Sequence, residues 1–317
     1  MTVGRFWSFL FLLVPILGVW CFVSAATDTW PFDGSLFAKG HWLPENVNAH
    51  GEVIDDLFYF ILWLTGIIFV GCGIALFVFL WKYDAEKNKE AVKYVHGNHS
   101  LEIVWSILPA AILLFIAVYQ MNAWADHKMR RPTEIVSVEG DDGHVNEKEE
   151  MLRPMARITA RQFEWRIRYA HPNMRVRVGQ EWIELNGDEE IGATAGEDGR
   201  LGTFDDVRDD LFTVNELVVP VNKEIVLQIE SQDVLHSFFL PHMRVKQDVV
   251  PGMTQYVWFK PTKTGTYDIV CAELCGWGHY KMRGQLTVKT LEGYAKWFKE
   301  QYEKQEQTQF QPPKDEE

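Results

Sequence analysis

The sequence predicts a two-part membrane protein: an α-helical hairpin of two transmembrane helices, then an all-β domain closed by a short amphipathic helix. Three observations predict it. Two apolar runs, residues 57–83 and 101–124, are each long enough to cross a bilayer. From about 125 to 290 the pattern changes to short alternating runs of β-branched and aromatic residues broken by turn residues. The 317-residue chain is 14% aromatic with 13 Trp, which suits interfacial belts and a β-rich core.

Residues 1–25 pair one early arginine with a long apolar stretch and end in small residues at Val23, Ser24 and Ala25. This pattern favours a secretory signal cut near Ala25 or Ala26 over an uncleaved spanning helix, and a bacterial inner membrane over a mitochondrial one. Trp20 stands before Cys21, where a lipoprotein signal needs a small residue. Residues 26–56 form an extracytoplasmic segment, and 57–124 form the hairpin. Its first span has Phe58, Tyr59, Trp63, Trp81 and Tyr83 towards its ends, as interfacial anchors do. Cys72, between Gly71 and Gly73, suits a helix contact. Pro109 is expected to kink the second span.

Lys82, Lys87, Lys89 and Lys93 mark the connection between the spans as cytoplasmic. Lys128, Arg130 and Arg131 blur the charge rule, but parity does not depend on it. Cleaved or not, the first segment leaves Ala26 onwards outside, so the hairpin runs out–in–out and the β domain is extracytoplasmic.

That domain, 125–290, contains runs such as "NELVVPVNKEIVLQIES" and "TQYVWFKPTKTGTYDIV", and predicts an antiparallel sandwich or barrel. "PTKTGTYDIVC" reads as a turn feeding a strand that delivers Cys271 to a loop. "EGDDGHVNEKEE" and "ELNGDEEIGATAGEDGRLGTFDDVRDD" read as acidic surface loops or an inserted hairpin. In 291–317, Leu291, Tyr294, Phe298 and Tyr302 share one helical face, and "TQFQPPKDEE" is a tail without core-forming pattern.

A net charge of −13 excludes nucleic acid as the expected partner and favours basic ones. Only four cysteines are present, Cys21, Cys72, Cys271 and Cys275, too few for a disulfide scaffold. The last two belong to "CAELCGWGHYKM", which has the spacing C-x3-C-x3-H-x2-M. On an oxidising face a disulfide is the plain alternative. Zinc accepts Cys and His, but thioether sulfur is not among its usual ligands. Haem attachment would need C-x-x-C-H, which the chain lacks. Thiolate, imidazole and thioether together suit copper. A further histidine must come from elsewhere, and "SQDVLHSFFLPHM" supplies His236, with His242 as competitor. The second thiolate leaves room for a second copper sharing both sulfurs.

Over nearly its full length the chain resembles subunit II of haem–copper cytochrome c oxidases. "CAELCGWGHYKM" resembles that family's dinuclear copper A motif, "DVLHSFFLP" the segment carrying its first histidine, and "HSLEIVWSILPA" its second membrane helix. The resemblance implies a cupredoxin-like Greek-key sandwich with Cys271 and Cys275 as bridging thiolates. His236 and Met282 would complete one copper, and His279 with the Glu273 carbonyl the other. It implies a magnesium ion at the Glu273 carboxylate, shared with subunit I, and a proton-path role for Glu102. It also implies oxidase subunits I and III, a cytochrome c or other haem c donor, and membrane lipid as partners. In the family, electrons from cytochrome c often pass through a tryptophan in a short aromatic run. Here the run is "RQFEWRIRY", with Phe163 at that place and Trp165 two residues on. The period of two in a strand makes Trp165 the expected substitute.

Three readings compete. An electron-transfer subunit of a respiratory cytochrome c oxidase needs two coppers and a catalytic partner. A quinol oxidase subunit II has the same shape without metal, and the cysteine pair argues against it. A copper-delivery protein would act alone, whereas the apolar hairpin with Glu102 suggests docking to another membrane subunit. A nitrous oxide reductase copper domain shares the motif but is not expected to have the hairpin.

Overall fold

The computed structural model describes residues 3–26, 43–84, 96–139, 145–169, 174–178, 181–185 and 210–308. The chain divides into two compact units. The first comprises Met1–Glu45 and Val53–Trp124, and the second Asn46–Glu52 and Ala125–Glu317.

The first unit holds helices α1 (Val3–Ala26), α2 (Glu52–Lys82) and α3 (His99–Tyr119), after which the chain enters α4 (Met121–Lys128). Three helical stretches, Val3–Ser24, Glu52–Lys82 and His99–Lys128, are long and apolar enough to cross a membrane. Their side chains are apolar on all sides and mostly exposed, as lipid- or partner-facing helices require. Small residues let α1 approach α2: a Cβ on Gly73 would come within 2.7 Å of Pro15, and one on Gly18 within 3.3 Å of Phe69. Phe9 meets Trp81 edge-on at 5.6 Å, and the Arg5 guanidinium lies 4.3 Å from the Trp81 ring centre. Pro109 lies inside α3, which is assigned without interruption. Asn98 caps α3, its side chain accepting from the Leu101 N–H at 3.2 Å. The lysine-bearing connection 85–95 lies outside the described residues.

The second unit is a β-sandwich. One sheet has the order β11-β10-β13-β14-β8 and the other β12-β9-β3-β4-β7. The first contains β8 (Glu216–Pro220), β10 (His236–Leu240), β11 (Val245–Val249), β13 (Gly265–Cys271) and β14 (Arg283–Lys289). The second contains β3 (Ala156–Arg161), β4 (Glu164–Tyr169), β7 (Leu211–Val214), β9 (Ile225–Ser231) and β12 (Gln255–Phe259). Most neighbours are antiparallel, but β8 with β14 and β3 with β9 are parallel. Alternation cannot distinguish the two, because side chains recur with period two in either ladder. The inward faces fill the core with Ile158, Trp165, Leu227, Phe238, Ile269 and Leu286.

Two further antiparallel pairs form two-stranded sheets of their own, β1 (Thr133–Glu139) with β2 (Val145–Met151), and β5 (Met174–Val178) with β6 (Glu181–Leu185). The first acidic stretch is therefore partly hairpin, with β2 inside it. Residues 186–209 of the second stretch and the tail from 309 lie outside the described residues. Helix α5 (Leu291–Gln307) is capped by Thr290, which accepts from the Gly293 N–H at 3.1 Å. It buries Tyr294 and Phe298 as its periodicity predicts, and Ala295 and Trp297 as well, with Trp297 5.5 Å from the Tyr169 ring.

A strap precedes α2. Val47, fully buried, donates its N–H to the His242 carbonyl at 2.9 Å and accepts from the Thr262 N–H at 2.8 Å. The Asn48 amide reaches the Met243 carbonyl at 2.8 Å. Residues 46–52 thus fold with the sandwich, although sequence grouped them with the segment before the hairpin.

Candidate metal centre

Two neighbouring strands bring the metal-ligating side chains together. In β10 and β13, Phe238 pairs with Cys271, and the Ala272 N–H bonds the Ser237 carbonyl at 3.0 Å. This register puts His236 beside Cys271 although they are far apart in sequence. The loop after β13 returns as a tight turn: the His279 N–H donates to Gly276 O at 3.1 Å, and Met282 N–H to His279 O at 3.1 Å. The Cys271 N–H closes the loop onto Met282 O at 3.2 Å, and the chain leaves along β14.

The Cys271 and Cys275 sulfurs stand 3.8 Å apart, with both thiols free and buried. A disulfide needs about 2.05 Å. His236 Nδ1 lies 3.9 Å from Cys271 Sγ, and the Glu273 carbonyl oxygen 3.3 Å from the same sulfur. On the other side, His279 Nδ1 lies 3.6 Å and Met282 Sδ 3.8 Å from Cys275 Sγ. Donors about 2.3 Å from a tetrahedral ion stand about 3.8 Å from one another, so these separations are of the size that a ligand shell would have. Each sulfur has one imidazole and one weaker donor as neighbours. His236, Cys271 and Cys275 form the one cluster of three metal-ligating Cys, His or acidic side chains found among the described residues. His242 is elsewhere, its ring 5.1 Å from that of Tyr267.

The electrostatics favour one thiolate. Burial pushes the Cys271 thiol up, but contact with His236 and with the backbone at Ser237 and Glu273 outweighs it and brings the thiol down to about 6. Burial and the neighbouring Cys271 push Cys275 up to about 12. Two thiolates this close repel each other, which favours a cation beside them. His236, fully buried, turns its other nitrogen to Asp233, with Nε2 2.8 Å from Oδ1. Asp233 is itself held by the Gln162 N–H at 2.7 Å and the Val234 N–H at 2.6 Å. Carboxylate behind imidazole is the usual support of a metal-ligating histidine. Sequence reasoning passed over Asp233, although "DVLH" places it three residues before His236.

The premise that Phe163 and Trp165 share a strand face needs correction. Phe163 lies in the two-residue turn joining β3 to β4, whereas Trp165 is in β4 and completely buried. The Trp165 ring meets Phe238 at 5.4 Å and His236 at 6.3 Å, both edge-on. A surface role for Trp165 does not fit, because the sandwich closes over it. Glu102 stands in the first turn of α3, where His99 Nδ1 is 3.3 Å from its carboxylate.

Two family models match the chain, "Cytochrome C oxidase subunit II, transmembrane domain" over residues 39–123 and "Cytochrome C oxidase subunit II, periplasmic domain" over 201–289. Cytochrome c oxidase subunit 2 of Cereibacter sphaeroides is 30% identical over 250 residues, covering 75% of each chain. The chain belongs to the cytochrome c oxidase subunit II family. Alternative cytochrome c oxidase subunit 2 of Bradyrhizobium diazoefficiens is 28% identical over 267 residues, 84% of this chain and 86% of that one. Among solved structures, the periplasmic domain of subunit II of cytochrome oxidase of Bradyrhizobium japonicum is similar at 27% identity and a TM-score of 0.33, covering 47% of this chain and 93% of that one. As a subunit II, the chain is an integral membrane electron-transfer subunit of a cytochrome c oxidase, with a cupredoxin-like domain and a copper centre.

Proposed function

We propose that the chain receives electrons one at a time from a cytochrome c or other haem c donor at a dinuclear copper A centre, and passes them to haem in subunit I, where oxygen is reduced. Cys271 and Cys275 would bridge the two ions, His236 and Met282 would complete one, and His279 with the Glu273 carbonyl the other. One observation carries this reading: four donors of three chemical kinds, two imidazoles, a thioether and a carbonyl oxygen, stand 3.3–3.9 Å from one or the other of two sulfurs that are 3.8 Å apart. A copper pair held by these residues would supply one-electron redox chemistry.

The protein's part is to hold the donors still. The β10–β13 ladder positions His236 and Cys271, Asp233 orients the His236 ring, and core burial of Cys271, Cys275 and Met282 excludes water. Little then reorganises when an electron arrives. The Glu273 carboxylate would take part in a magnesium site shared with subunit I, and subunit III would join the assembly. Glu102 would stand at the mouth of a proton-uptake path, supported by its place at the start of α3. The hairpin would run out–in–out with the β domain in the periplasm of a bacterial inner membrane, a reading supported by the lysines between the two spans. The domain limits would be 1–25, 26–56, 57–124, 125–290 and 291–317, with the strap at 46–52 belonging functionally to the fourth.

Metal analysis of the purified oxidase, together with low-temperature EPR, tests the proposal. Two coppers per subunit II with one electron shared between them is the expected result. A single ion, or a Cys271–Cys275 disulfide in the working complex, would contradict it.

A further inference from the structure

The motif loop presents an unusual surface. Between buried Cys275 and half-buried His279 it places Trp277, which is 79% exposed, with Leu274 at 76% and Tyr280 at 70% beside it in sequence. Large apolar side chains this open to solvent on a tightly bonded loop mark a contact surface.

The loop does not hold Trp277 out by chance. The Phe163 ring meets the Trp277 ring edge-on at 5.4 Å and lies against the glycines on both sides of it. A Cβ on Gly276 would come within 3.2 Å of the Phe163 ring, and one on Gly278 within 2.5 Å. Gly276 also has φ +139°, a region that side-chain-bearing residues rarely adopt. Beside Phe163, the Gln162 amide donates to the Cys275 carbonyl. The β3–β4 turn therefore clamps the G-W-G segment against the metal centre, leaving one indole edge on the ring of Phe163 and the rest in solvent. On the outer side, Lys281 Nζ lies 5.7 Å from the Trp277 ring centre and 5.5 Å from that of Tyr280.

We propose that Trp277 is the electron-uptake residue of this subunit, the side chain against which a haem c donor places its exposed haem edge. The inference rests on the copper A reading above. The ferrous haem of the donor gives up one electron and becomes ferric. The centre gains that electron, and the indole ends as it began. From Trp277 the covalent path to the Cys275 sulfur crosses only Gly276, so the coupling route is short and rigid. Phe163 is then a positioning residue: it fixes the indole but carries no exposed face of comparable size. Trp165, sealed in the core behind His236, is not available to the donor.

The test uses the intact oxidase with ferrocytochrome c as probe, comparing wild type, Trp277→Leu, Trp277→Phe and Trp165→Phe. Stopped-flow reduction of the copper centre by ferrocytochrome c should slow by about tenfold or more in Trp277→Leu. It should slow less in Trp277→Phe and stay near the wild-type rate in Trp165→Phe. The EPR signal of the oxidised centre and its reduction by a small photogenerated reductant should stay unchanged in both Trp277 variants. Independently of turnover, bound cytochrome c should protect Trp277 from hydroxyl-radical labelling read by mass spectrometry. Wild-type reduction rates in Trp277→Leu, or equal labelling with and without cytochrome c, would overturn the proposal. A wild-type oxidase that ferrocytochrome c does not reduce, while the two-copper signal is present, would instead overturn the donor assignment on which it rests.

Discussion

His236 Nε2 stands 2.8 Å from Oδ1 of Asp233, while Nδ1 of the same ring faces the Cys271 sulfur. The carboxylate thereby sets which nitrogen is left for metal and how the ring is turned. Removing such a partner typically lowers metal affinity about 10–100-fold. Asp233→Asn should therefore lose copper to a competing chelator at a concentration the wild type withstands, with the fold intact by circular dichroism. Equal retention of copper would show that the core alone orients His236.

Cys271→Ser and Cys275→Ser should each abolish the shared-electron copper signal and oxidase turnover, since a hydroxyl neither bridges soft metals nor carries the required charge. EPR of the purified variant complexes is the check. A two-copper signal surviving in either variant would remove the basis for bridging sulfurs.

Gly278→Ala drives a methyl group into the Phe163 ring, 2.5 Å away before relaxation. The expected outcome is a lower melting temperature and a broadened copper spectrum. Shortening the obstructing side chain as well, in Gly278→Ala with Phe163→Ala, should recover part of the loss, with a coupling of about 0.5–3 kcal/mol. Additive effects in denaturant titration would mean that the ring does not clamp the loop.

Arg168 and Asp210 form a buried ion pair at 2% and 0% exposure, joining β4 to the start of β7. Asp210→Ala removes a carboxylate from this buried pair, and breaking such a pair costs about 3–5 kcal/mol. Thermal unfolding of the variant oxidase should begin with this domain, several degrees below wild type. An unchanged transition would show that the pair adds nothing to the stability of the domain.

The membrane part and the soft-donor motif were readable along the chain because their signals are local. A helix spanning lipid must be apolar residue after residue, and C-x3-C-x3-H-x2-M keeps four candidate ligands within one short stretch. Phe163 and Trp165 show where that reading stops. A period of two predicts a shared face only if the strand is continuous, and the β3–β4 turn at 162–163 breaks it. The strap at Val47 was equally hidden, since one apolar residue before a membrane span carries no periodicity.

By itself, then, the sequence determined where the long apolar runs lie, the all-β nature of the outer domain and the soft-ligand character of its loop. Each of these depends on residue type at short separation. Only the tertiary structure decided that Asp233 supports His236, that Trp165 is sealed in the core and that Trp277 is held outward by Phe163. The first depends on how a three-residue turn aims two side chains, the second on the closing of two sheets, and the third on packing between segments more than a hundred residues apart, so side-chain direction is set by the closed sandwich and not by neighbouring letters.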